Sequence, residues 1–101
     1  MNILSLNCGL NQIVNIHENA FLNIIDSAIK KHKNIKLISV PKIIFADDQS
    51  NISIFLNVKL KSLNKNLINS IQDLQNDLED LINSTIGIKP TNIQIACLGL
   101  V

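Results

Sequence analysis

The sequence predicts an α+β fold: a two-layer sandwich in which two helices cover one face of a mainly antiparallel sheet. Three observations carry this. Residues 52–60 alternate between an apolar side and a largely wet one, where Phe55 joins Ser53, Asn57 and Lys59. Apolar residues recur at helical spacing over 18–32 and again over 66–85. The polar stretch Asp47-Asp48-Gln49-Ser50-Asn51 separates two β-branched runs, as a hairpin loop does. The resulting order is βαββαβ, in a single domain spanning 1–101.

Gln12 to Ile16 reads as a short strand, with Val14 and Ile16 on one side. The preceding Ile3-Leu4-Ser5-Leu6 is either an added edge strand or loose. From Glu18 the period becomes helical: Phe21, Leu22, Ile25, Ala28 and Ile29 form one stripe, with His17 or its loop as the cap. Lys30, Lys31 and Lys33 fall at the end of this helix, where cations suit its dipole. Residues 36–46 read as a strand that Pro41 confines to an edge or a bulge, because proline cannot donate to a ladder. In the strand 52–60, Ile52, Ile54, Leu56, Val58 and Leu60 mark the core side. The second helix, 66–85, carries Leu67, Ile71, Leu74, Leu78 and Leu81, widened by Ile68 and Ile82. Asn64 or Asn66 can cap its start; Gly87 and Pro90 end it. The last strand, 91–98, places Ile93, Ile95 and Cys97 on one face.

Composition narrows the function. Apolar residues make up 47% of the chain, too many for a disordered segment. The apolar set is aliphatic, with 19 Ile and 14 Leu against three Phe and no Trp or Tyr. That argues against nucleic-acid readers, which stack bases on exposed aromatics. A formal charge of +1 argues against a strong overall attraction to phosphate chains or anionic lipid. Charge is uneven, however: Lys30-Lys31-His32-Lys33-Asn34-Ile35-Lys36 is basic, while Asp73, Asp77, Glu79 and Asp80 are acidic. These are either two solvated surfaces or complementary patches between copies. Cys8 and Cys97, the only cysteines, form neither a metal framework nor a disulfide scaffold, so a reducing cytosol is expected. The opening residues match neither a signal peptide nor a membrane span.

Reactive constellations are sparse, and no catalytic, cofactor-binding or metal-binding residue is assigned. Gly9, Gly87 and Gly99 stand singly, so no phosphate loop is present. His17 and His32 bracket the first helix, about 22 Å apart by helical rise, too far to share a metal. Asp47-Asp48, the only adjacent carboxylates, sit in the hairpin loop and read as turn formers. A Cys8–His17 nucleophile pair would need a convergence that nothing in the sequence requires. Cys97 alternates with core positions and reads as a small buried hydrophobe.

The second half resembles the alkaline-shock-protein family of small bacterial proteins, linked to general stress and cell-envelope homeostasis. The likeness rests on Asn66-Leu67, Ile71, Leu74-Gln75, Leu78, Ile82, Gly87-Ile88 and Asn92-Ile93-Gln94-Ile95. Upstream, Gln12-Ile13-Val14-Asn15-Ile16, Ala20-Phe21 and Ile24-Ile25 resemble the family's opening, and coverage is about 10–101. Glycines common after the family's first helix are missing, and Pro41 interrupts a strand that is usually continuous. The resemblance implies a non-enzymatic, self-associating scaffold or adaptor without cofactors. It implies a cytoplasmic place, or one at the inner membrane face through an anchored or lipid-metabolism partner. Two alternatives remain: an RNA- or ribosome-associated module using Lys30–Lys36, and a small-ligand regulatory domain of the ACT type, which shares the βαββαβ order.

Overall fold

A computed structural model describes residues 2–9, 12–61 and 66–101, and within these it leaves the side chains of Cys8 and Leu67 undescribed. The elements are β1 (Ile3–Gly9), β2 (Gln12–His17), α1 (Glu18–Lys31), β3 (Ile35–Leu37), β4 (Lys42–Phe45), β5 (Ile52–Leu60), α2 (Leu67–Ile86) and β6 (Asn92–Leu100). The class is α+β, as the hydrophobic rhythms predict.

β5 is the centre of the main sheet. β3 and β4 share one of its edges, both antiparallel, with Lys36 opposite Lys59 and Ile43 opposite Ile54. The run 36–46 is therefore one edge broken around Pro41, for the reason the proline predicts. Ile38 N still donates to Asn57 O at 2.9 Å before the break. On the other edge β6 runs parallel to β5, Ile54 opposite Ile93, and α2 supplies the crossover that a parallel pair requires.

Every even-numbered residue of β5 from Ile52 to Leu60 is at most 2% exposed. These side chains meet Phe21, Ile25 and Ala28 of α1 and Leu74, Leu78 and Ile82 of α2, all fully buried. Phe21 meets Phe45 edge-on, ring centroids 5.9 Å apart, tying α1 to β4. The odd-numbered residues of β5 face away from the helices and form the outer face of the sheet.

The two helices are closed differently. His17 occupies the N-cap of α1 but makes no side-chain cap bond. Asn2 does that work instead: its carbonyl accepts from Glu18 N at 3.1 Å, and its Nδ2 donates to Glu18 Oε2 at 2.5 Å. Asn66 caps α2, its Oδ1 accepting from Asn69 N at 3.2 Å, while Asn64 lies outside the described residues. Gly87 ends α2 with φ 78°, a left-handed conformation that disfavours a Cβ.

The opening segment departs from the six-element order. Ile3–Gly9 forms an antiparallel hairpin with β2, in a two-stranded sheet of its own. Leu4 is fully buried and Ser5 N donates to Gln49 O at 2.9 Å, so the base of the hairpin is anchored. Its far half is exposed, with Ile13 72% and Val14 46% accessible. This arm stretches the molecule to 52 × 22 × 18 Å and its radius of gyration to 14.6 Å, against about 13 Å for a compact chain of this length.

Ile54→Ala should cost about 2–5 kcal/mol in urea unfolding, from lost burial and the cavity left at the sheet centre. Gly87→Ala should cost about 1 kcal/mol through its positive φ. An Ile54→Ala loss no larger than that of an outer-face substitution would contradict the central place of β5.

Candidate functional site

The residues inspected for chemistry are kept apart. Ile3 lies opposite His17 and Gly9 opposite Gln12, so Cys8 and His17 sit at opposite ends of the hairpin, about 17 Å apart by strand rise. That spacing excludes a Cys8–His17 pair. Asp48 Oδ1 accepts from Ser50 N at 3.1 Å and from Ser50 Oγ at 2.6 Å. These bonds, the hydroxyl first, hold its carboxyl below the usual 3.8. Asp48 is thus a turn former, as its place in the loop suggests. Cys97 is a partly buried free thiol on β6. No group of three metal-ligating side chains occurs among the described residues.

The basic and acidic stretches meet within one molecule. His32 Nε2 lies 2.5 Å from Asp77 Oδ2, joining the end of α1 to the middle of α2. A hollow of about 200 Å³ beside this contact is lined by Lys31, Lys33, Asn34, Ser70 and Asp73. The sequence offers no sign of this contact, because its partners are 45 residues apart and neither sits in a motif. The apolar stripe of α2 is likewise used internally. Ile71 and Leu81 pack on the core, and among its described residues only Ile68, 65% exposed, is left bare.

Two surfaces remain available. The first is the free edge of β6. Thr91 N donates to Ile52 O, so strand alternation turns the N–H and C=O groups of Asn92, Gln94 and Ala96 away from β5. No described strand pairs with that side. The strand holds no charge and no proline, and its only edge irregularity is the bulge near Gly99. Leu98, Leu100 and Val101 are 56%, 49% and 66% exposed at its end. The opposite edge is blunted by Lys36, Pro41 and Lys42, the usual protection against strand addition.

The second surface is the outer face. Lys36 and Lys59 are directly opposite there, Lys42 lies opposite Phe55, and Lys61 follows Lys59 by one alternation. The basic stretch 30–36 is therefore extended by lysines that look, in the sequence, like ordinary wet strand positions.

Comparison with protein-family models, curated proteins and solved structures finds no match to this chain.

Replacing Ser50 with Ala should return the Asp48 carboxyl towards 3.8, read by a proton-resolved pH titration. Because the folded value lies below the unfolded one, the wild-type turn is favoured above the unfolded value. That advantage is lost as pH falls through the folded value, and the S50A variant should keep only the part owed to the residue-50 backbone N–H.

Proposed function

We propose that this chain is a non-enzymatic, self-associating scaffold or adaptor that joins copies through the open edge of β6. The observation that carries this is the contrast between the two edges of one sheet. The β3/β4 edge is protected by two lysines and a proline, whereas β6 presents nine uncharged residues and unpaired backbone groups. An uncharged strand can meet its own copy without like-charge repulsion. Antiparallel self-pairing about a two-fold axis satisfies both copies identically. Full overlap of Asn92–Leu100 puts that axis at Ala96, with Gln94 opposite Leu98 of the second copy.

The likeness of 66–95 to the alkaline-shock family supports the same function, and with it a place at the inner face of the envelope beside an anchored partner. Leu74 and Ile82 of that pattern are core residues, and Gln75 Nε2 donates to Ile93 O at 3.3 Å, tying α2 to β6. Face-to-face stacking of outer faces is disfavoured, since it would oppose lysine to lysine. Phe55, half-buried, is the single aromatic of that face, which weighs against recognition of a run of bases there.

Sedimentation velocity over a range of concentrations tests this. The wild type should form a dimer or larger species, and Ala96→Lys should shift it to monomer by placing two ammonium groups at the axis. A wild type that stays monomeric at the highest concentration would refute self-association. An unchanged assembly in A96K would move the contact away from β6.

A further inference from the structure

The carboxylates of this protein are kept off the outer face of the main sheet. All eight carboxylates lie on the helices or in the β4–β5 turn: Glu18 and Asp26 on α1, Asp47 and Asp48 in the turn, and Asp73, Asp77, Glu79 and Asp80 on α2. The outer face of the main sheet holds Lys36, Lys42 and Lys59, with Lys61 one residue past the end of β5, and not one carboxylate. A formal charge of +1 for the whole chain hides this.

None of these four lysines has an ion-pair partner among the described residues. The lysine ion pairs among the described residues use other cations: Lys30 with Asp26 at 3.0 Å and Lys89 with Glu79 at 3.3 Å. Lys36 and Lys59 are direct cross-strand partners, an arrangement that works against the fold. Aliphatic side chains are exposed near them, among Ser53, Asn57 and Gln94. Ile38 is 40% exposed, Ile44 46%, and Val40, in the edge loop between Lys36 and Lys42, 80%.

From this combination we infer that the outer face and its β3–β4 loop dock on an anionic lipid surface. The lysines would meet headgroup phosphates, and Val40 with Ile38 would enter the boundary of the acyl region. Two features select lipid over RNA. The apolar groups exposed beside the lysines, Ile38, Val40 and Ile44, are aliphatic, and the single aromatic of that face, Phe55 opposite Lys42, is half-buried, which suits acyl chains better than a run of stacked bases. The lysines are spread over three strands of one sheet face, so they meet a plane more readily than a thread. No described helix is long and apolar enough to cross a membrane, so the contact is peripheral. It does not require self-association.

The test is co-sedimentation of the full chain with phosphatidylserine-rich vesicles, with phosphatidylcholine vesicles, and competition by polyuridylate. Binding should occur on the anionic vesicles, fall steeply with salt, and be nearly absent on the neutral ones. Lys36→Gln and Lys59→Gln should each weaken it about fivefold, and together about 25-fold. Both variants should stay folded, because they remove a like-charge pair; circular dichroism checks this. Val40→Ser should weaken vesicle binding while leaving its salt dependence unchanged. Equal binding to both vesicle types, no binding to either, or polyuridylate binding tighter than vesicle binding would each overturn the inference.

Discussion

Burying Ile52, Ile54, Leu56, Val58 and Leu60 on one side of β5 sends Ser53, Phe55, Asn57 and Lys59 to the other, because the strand repeats every two residues. That constraint fixes the rest. A strand paired on both edges and buried along a full side must have a second layer above it, which α1 and α2 supply. It equally commits its opposite side to solvent or to a partner. A register slip of one residue would bring Lys59 into the core and expose five aliphatic side chains, so the arrangement has no near competitor.

The same constraint explains where charge can go. Ionised groups are confined to the outer face of the sheet, the exposed sides of the helices and the connecting turns, since no polar or charged residue is buried among those described. Within that freedom the outer face takes lysines and no carboxylate, whereas the helices carry both signs, with Lys30 and Lys31 beside Glu18 and Asp26 on α1. Solubility alone would be served equally well by mixing the signs, and mixing would spare the Lys36–Lys59 opposition. The segregation therefore asks for a cause outside the fold.

The main sheet and both helices were legible because their signals are local. Alternation over 52–60, the stripe over 67–82, Asn66, Gly87 and Pro41 each act within a few residues, and each produces the element it predicts. What was not legible depends on distance. Ile3-Leu4-Ser5-Leu6 has too short an apolar pattern to tell an edge strand from a loose end. Only its anchorage to Gln49 and Glu18 makes it a hairpin. The separation of Cys8 from His17 follows from hairpin register, and the meeting of His32 with Asp77 from helix packing. Lys59 and Lys61 look unremarkable until β3 is laid beside β5 and Lys36 is found opposite.

The two surfaces reinforce one another geometrically. A two-fold axis perpendicular to the sheet at Ala96 would join two main sheets edge to edge while keeping both outer faces on the same side. Four lysines would become eight on one continuous surface, with Val40 of each copy at its two far margins. A face that binds an anionic plane weakly alone would then bind in pairs, with the second contact made at high effective concentration. Such linkage raises overall affinity by roughly two to four orders of magnitude without any new contact. Assembly at β6 and attachment through the outer face would thus be coupled: pairing strengthens attachment, and attachment concentrates copies for pairing.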